Sequence, residues 1–271
     1  SGISPPSGYL HYSSMFNMAI NDGINPYNGE RCPIHTGYLY DMKSIEEVKE
    51  AFTAVARYIV RAQVSIDNYL EYIFMNNMIF PIVSISVDGC MESGKDISCG
   101  GARYNSYGGT AVGLATIADS ITAIKYMCFD NKKCTTRELY DAVMANWEGY
   151  ESLRQIIINE APHFGNANPY ADMEMKWVTD TYYNVCKDCY STRSKTYKAG
   201  MYSAANHVAQ GYHTWATPDG RKAGMPIADA ASPVQGRDRL GPTAVLQSAL
   251  SYDHGKFMDG MALNVRIHPS V

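Results

Sequence analysis

Residues 44–76, SIEEVKEAFTAVARYIVRAQVSIDNYLEYIFMN, place apolar side chains at helical intervals behind Ser44 and Glu47 in capping-box spacing. The spacing predicts one long amphipathic helix, and such a helix has to bury its apolar face against another layer. The stretch after it, FPIVSISV at residues 80–87, is short and rich in β-branched residues, which predicts a buried strand. That strand would deliver the chain to VDGCMESGKDISCGGARYN, residues 87–105, a glycine-rich segment with little helical periodicity.

The alternation continues. Residues 110–129 predict a mostly apolar helix, and Thr135 with Glu138 caps another over residues 135–161. Pro162, Gly165 and Pro169 interrupt the pattern before a third helix at residues 170–191. A strand is expected in AGMYSAANHV, residues 199–208, then a helix from Thr243 and a closing strand in MALNVRIHPS, residues 261–270. Two stretches are too rich in turn formers for regular structure: residues 20–33, a surface loop, and residues 216–242, a long loop of the kind more often functional than idle. Strands alternating with long helices predict an α/β architecture, a barrel or a wound sheet, with no repeat or linker to divide it.

At 271 residues and 46% hydrophobic, the chain can bury a substantial core. Its net charge of −4 gives no reason to expect nucleic acid or an anionic membrane surface as partner, so a small molecule is expected. No apolar stretch approaches a membrane span and SGISPPSGYLHYSS lacks the regions of a signal peptide, which makes the cytoplasm the expected location. Seven cysteines read as reduced thiols rather than a disulfide framework. Cys186 and Cys189 form a C-x-x-C, but no second pair completes a zinc site, and they read as neighbouring thiols at a helix end. GGARYNSYGG, residues 100–109, has neither the Walker lysine nor the dinucleotide-binding spacing, so no bound cofactor or metal is expected in this chain.

The chemically pointed feature is Cys90, flanked by Gly89 and two residues before Glu92. A free cysteine is often a small buried apolar group, so structural thiol, ligand and reactive group all stand open. A Cys–His hydrolase would need an imidazole, and the candidates His163, His207, His213, His254 and His268 are scattered. A glutamate two positions away is a poor base for a thiol, but it is well placed to move a proton on a substrate the sulfur has engaged. Cys99 has no nearby acid or base. His163 and Asn166 could contact substrate, although a histidine after a helix end is more often a cap. Arg237 and Arg239 could hold a substrate carboxylate bidentately, although a solvated loop is the plainer account, and the TPDGR turn consists first of turn formers.

Several separate motifs in order, INDGINPYNGE, VDGCMESGKDISCGGARYN, GLATIADSITAIKY, WEGYESLRQIIINEAPHFGN, ATPDGRKAGMPIADAASPVQGRDRLGPTAVLQS and LNVRIHPS, resemble the glycyl radical enzymes of the pyruvate formate-lyase superfamily. The resemblance runs along nearly the whole chain and implies part of a ten-stranded α/β barrel with long flanking helices, the cysteine on a finger-like loop inside it. It implies a backbone glycine radical, installed by an activating enzyme that uses S-adenosylmethionine and an iron–sulfur cluster. It makes Cys90 the thiyl radical site and Glu92 the general acid/base, in a full-length protein expected to be a homodimer. Pyruvate formate-lyase itself uses two adjacent cysteines. Here Met91 follows Cys90, so the pattern is closer to the dehydratases, the carbon–nitrogen and carbon–sulfur lyases, and the arylacetate decarboxylases. The glycyl loop is expected beyond Val271, which makes residues 1–271 a partial catalytic domain ending before the glycyl radical domain; a truncated subunit that docks on a partner supplying the glycine is the non-catalytic alternative.

Overall fold

The computed structural model describes residues 9–265. The chain opens with β1 (Tyr9–His11) and α1 (Tyr12–Ala19), passes through irregular backbone over residues 20–38, and enters α2 (Ile45–Asn77). Two short helical turns, α3 (Pro81–Ser84) and α4 (Cys90–Ser93), precede β2 (Gly108–Val112) and α5 (Leu114–Ile124), whose last part widens into a π-helix over Lys125–Asp130. Then follow α6 (Thr136–Met144), α7 (Glu151–Glu160), α8 (Pro169–Lys187), the hairpin β3 (Tyr190–Ser191) and β4 (Lys195–Thr196), β5 (Lys198–Gly200), α9 (Asn206–Tyr212) and α10 (Pro242–Ala249).

The sheet is parallel in the order β1-β2-β5, with Tyr9 beside Thr110 and Thr110 beside Gly200. Parallel strands need crossover connections, and helices therefore cover the sheet. Every residue of α1 and of α5 is buried. The Ser44 hydroxyl accepts from the Glu47 amide at 3.3 Å and starts α2, whose apolar stripe from Val48 through Phe52, Val55, Val60 and Val64 packs inward. Each such side chain, fully buried, stabilises the fold by ~1.5–3 kcal/mol. Phe52 meets Tyr12 and Phe16 edge-on, both with ring centroids 5.7 Å apart. Glu174 on α8 binds Lys49 of α2 at 2.6 Å and Lys125 at 3.1 Å, joining three elements through one buried carboxylate.

Glycine is required where these layers touch. A Cβ on Gly108 would lie 1.8 Å from the Lys198 carbonyl oxygen, inside the strand pair. Gly113 stands at φ +85°, and a Cβ there would lie 2.2 Å from the Ser13 hydroxyl. That glycine explains one departure from the periodicity: residues 110–112 belong to β2, and the helix begins only at Leu114.

Other expectations shift for local reasons. The helix expected over residues 135–161 is capped by Thr135 as read, but it divides into α6 and α7. Asn146 and Trp147 take positive φ so that the Trp147 indole, 1% exposed, enters the core and donates to the Arg221 carbonyl at 3.2 Å. Residues 80–87 are not a strand. Pro81 starts the turn α3, as proline at a first helical position does, and Ile82 and Ile85 face outward, 81% and 66% exposed. Of residues 199–208, only Ala199 and Gly200 are strand, in β5, and α9 begins at Asn206. The closing strand is limited, among the described residues, to one parallel bridge between Met261 and Met201; residues 262–265 are irregular, and residues 266–270 of that stretch lie outside the described residues. No helix among the described residues is long and apolar enough to cross a membrane.

Candidate active site

The segment carrying Cys90 is a closed loop whose neck is Asp88 and Arg103. The Arg103 amide donates to the Asp88 carbonyl at 2.9 Å, and a Cβ on Gly89 (φ +96°) would lie 2.4 Å from the Arg103 nitrogen. The left-handed Gly89 turns the chain abruptly into α4, whose first residue is Cys90. The Cys90 side chain packs with Val83, Val87, Ile97 and Ala102, and the residue is 3% exposed. Glu92 is exposed, and its Oε2 accepts from the Gly89 amide at 3.1 Å, which holds the carboxylate back over the start of the turn.

The electrostatics favour a protonated sulfur. Burial pushes the Cys90 thiol up, and the carboxylates of Asp96 and Glu92 push it further. A nucleophilic cysteine needs the opposite arrangement, a cation or imidazole that lowers the thiol. The described histidines are engaged elsewhere: His11 with Thr214, His35 with Asp22, His163 with Asp119, His207 with Ser203 and Asp229, His213 with Tyr27, and His254 with the Ala249 carbonyl. His268 lies outside the described residues. A neutral S–H beside a carboxylate can give up a hydrogen atom while the carboxylate handles a proton; it cannot readily act as a thiolate.

Asp96 knits the loop to the segment before it. Its carboxylate accepts from the Phe80 amide at 2.8 Å, the Ser84 hydroxyl at 2.7 Å and the Ser98 amide at 2.9 Å. Burial raises this carboxyl, but the three donors outweigh it and hold it at about 2. A folded value below the unfolded one means that the stabilisation is full above about pH 4 and is lost as pH falls towards 2. Asp96→Asn is therefore expected to cost ~1 kcal/mol at neutral pH, solvent screening included, and the gap from wild type should close between about pH 4 and 2. Thermal unfolding of both proteins across that range checks it; a gap that does not change with pH would contradict the ionised cap.

A second clasp was invisible in the sequence. Arg193, just past β3, sits with its Nε 3.3 Å from Glu71 Oε1 on α2, both side chains buried. Its Nη1 donates to the Ile97 carbonyl at 3.5 Å and its Nη2 to the Ser106 carbonyl at 3.2 Å, so one guanidinium grips both ends of the segment that closes the loop. One turn earlier on α2, Asp67 accepts from the Tyr197 hydroxyl at 2.5 Å.

The remaining candidates from the sequence gather elsewhere. His163 Nδ1 lies 3.4 Å from Asp119 Oδ2, a carboxylate in the fully buried α5, and its Nε2 is 3.2 Å from the Ile158 carbonyl. Asn166 donates to the carbonyls of His163 and Arg237 and accepts from the amides of Arg239 and Leu240. Arg237 donates to the Asp219 carbonyl at 3.2 Å. These three residues thus form one bonded cluster around the TPDGR turn, and none of these bonds reaches Cys90 or Glu92. The turn itself is a hub: the Thr217 amide donates to the Arg221 carbonyl at 3.0 Å, and the Thr217 hydroxyl donates to Asp219 at 2.5 Å. Cys186 ends up buried near the end of α8 with Cys189 just beyond it, and the Cys99 thiol donates to the Met75 carbonyl.

The family model for pyruvate formate lyase-like proteins matches residues 3–211, and that for the glycine radical family matches residues 227–271. The chain is 36% identical over 265 residues to trans-4-hydroxy-L-proline dehydratase from Clostridioides difficile, covering 98% of this chain and 34% of that protein. It is 33% identical to (2S)-3-sulfopropanediol dehydratase from Klebsiella oxytoca, covering 96% of this chain and 32% of the relative. The crystal structure of hydroxyproline dehydratase from Clostridioides difficile with trans-4-hydroxy-L-proline bound superposes with a TM-score of 0.92 over 97% of this chain and 33% of the other. The chain spans about a third of the length of the curated relatives it matches. It belongs to the pyruvate formate lyase-like family, and its three parallel strands and their helices are part of that family's barrel fold.

Proposed function

We propose that this member of the pyruvate formate lyase-like family is the thiyl-bearing part of a glycyl radical dehydratase or related carbon–heteroatom lyase acting on a small hydroxylated molecule. The observation that carries the reading is the pairing of a buried, protonated Cys90 thiol with the Glu92 carboxylate on one tightly closed loop. A glycine radical of the whole protein, installed by a separate activating enzyme, supplies the one-electron oxidising equivalent that removes the hydrogen atom from the Cys90 S–H. Cys90 sulfur then takes a hydrogen atom from a substrate C–H, leaving a carbon radical. Glu92 takes the proton of the hydroxyl on that carbon while the neighbouring group leaves, as hydroxide for a dehydration, and the proton returns to complete water. Cys90 S–H gives its hydrogen atom back to the product radical, and the sulfur radical so formed recovers one from the glycine, so sulfur, glycine and carboxylate end as they began and the net change is loss of water.

Names of the relatives support elimination from small hydroxylated molecules, since two of them are dehydratases of such compounds. Acyl transfer fits less well: Met91, which is 67% exposed, cannot form a thioester, and Cys99 is tied to α2. Decarboxylation of an arylacetate is the second reading, because it would use the same Cys90 and Glu92; carbon dioxide released in step with product would favour it. The apolar side chains of Ile79, Ile82, Ile85 and Met91 stand open around the loop, and a patch of that kind calls for cover. We assign that cover to the rest of the whole enzyme, a cytoplasmic homodimer, which would also exclude water from the radical.

Glu92→Gln tests the division of labour. It keeps an acceptor for the Gly89 amide but cannot take a proton, so turnover is expected to fall by ~10²–10⁴-fold with the radical signal retained. Turnover at the wild-type rate would remove Glu92 from the proton step.

A further inference from the structure

Away from the Cys90 loop, cations converge on one cleft. Its volume is about 370 Å³, near the lower end of small-molecule sites, and it lies between α7 and the two loop segments 220–226 and 234–239. Arg154, Arg221, Lys222, Arg237 and Arg239 line it, in a chain whose net charge is −4. Only one exposed carboxylate among the described residues pairs with any of them: Glu151, 2.7 Å from Arg154 and 3.3 Å from Lys222. Asp219 lies beneath the turn, its Oδ1 taken by the hydroxyls of Thr217 and Ser120.

The cleft is built rather than accidental. Arg221 is 5% exposed, and its two terminal nitrogens donate to the carbonyls of Lys222, Met225, Thr214 and Trp215 at 2.5–3.1 Å. Those bonds fix the guanidinium plane, while its Nε has no partner. Burial pulls Arg221 down to about 10, and the Asp219 charge offsets this only in part, as expected of a buried cation short of negative charge. Arg154 is fixed by its Nε–H donating to the Gly220 carbonyl at 2.7 Å, and Arg237 and Arg239 by single-ended bonds to the carbonyls of Asp219 and Ile158. Nε and Nη1 of Arg237 and of Arg239 have no partner among the described residues. Arg237 and Arg239 are thus each held through Nη2, which leaves Nε and Nη1 to meet the oxygens of a tetrahedral anion.

We propose that this cleft binds a phosphate group, as inorganic phosphate or at the end of a small phosphate monoester. Titration of the purified protein with sodium phosphate and with glycerol 3-phosphate, against sodium chloride at equal ionic strength, is the test, read by calorimetry and by thermal shift. Saturable binding of at least one phosphate is expected, with Arg239→Gln and Lys222→Met, both outside the core, each weakening it about tenfold or more. Tighter binding of glycerol 3-phosphate than of phosphate would assign the cleft to a monoester, and equal binding would assign it to the free ion. No saturable response up to about 10 mM of either, or affinity unchanged in both variants, would overturn the proposal.

Discussion

Cys90→Ala is expected to abolish turnover of the anaerobically activated enzyme while its glycyl radical persists. The side chain sits in a small satellite cluster with Ile97 and Ala102, where losing one sulfur costs ~1 kcal/mol, far less than a domain's reserve. The loop around it is held by contacts that alanine leaves intact: the Arg103 amide on the Asp88 carbonyl, the Gly89 amide on Glu92 and the three donors to Asp96. Loss of activity therefore cannot be charged to unfolding, and comparing the melting temperatures of the two proteins checks this. Alkylation of the wild-type enzyme separates the radical from the nucleophilic reading, because burial and the carboxylates of Asp96 and Glu92 raise the Cys90 thiol. A thiolate nucleophile would react with an alkylating reagent near neutral pH, whereas Cys90 is expected to react slowly until the pH passes the ordinary thiol range.

The second large effect is expected at the clasp beneath that loop. Arg193→Met strands Glu71 in the core and should destabilise the fold by ~3–5 kcal/mol, the usual consequence of removing one partner of a buried ion pair. Burial raises the Glu71 carboxyl even with Arg193 present. A raised carboxyl is better tolerated in the fold when protonated, so stability is lost as pH rises, and the variant should lose less at about pH 5 than at about pH 8. Glu71→Met combined with Arg193→Met is expected to recover much of the loss. Denaturant unfolding of the three variants measures this. A single substitution costing under ~1 kcal/mol would mean that the pair does not hold the loop.

The contrast between these two sites shows what the sequence carries. Gly89, Cys90 and Glu92 are near neighbours, so their grouping could be read from one short stretch, while the proposed roles of Cys90 and Glu92 came from the family resemblance; the structure explains the spacing, since the amide of Gly89 and the carboxylate of Glu92 close on each other. The caps at Ser44 and Thr135 were legible because a cap is a bond between neighbours. Glu71 and Arg193 are far apart in the chain, and no local pattern joins them. The same holds for Asp119 and His163, where a histidine after a helix end turned out to stand 3.4 Å from a buried carboxylate. Residues 80–87 misled for a different reason. Their β-branched composition fits a strand, but Pro81 starts a helical turn and the Asp96 carboxylate holds Phe80 and Ser84 in it. Trp147 likewise overrode an otherwise continuous helical pattern by its burial.

The central claim, that Cys90 passes the radical to the substrate, is tested most directly by measuring spin and product on one sample. Wild-type and Cys90→Ala enzymes are activated under identical conditions, the glycyl radical is counted by electron paramagnetic resonance, and product formed per spin is measured after substrate is added. The account predicts comparable spin counts with product only from the wild type. Product at the wild-type rate per spin from Cys90→Ala would contradict it.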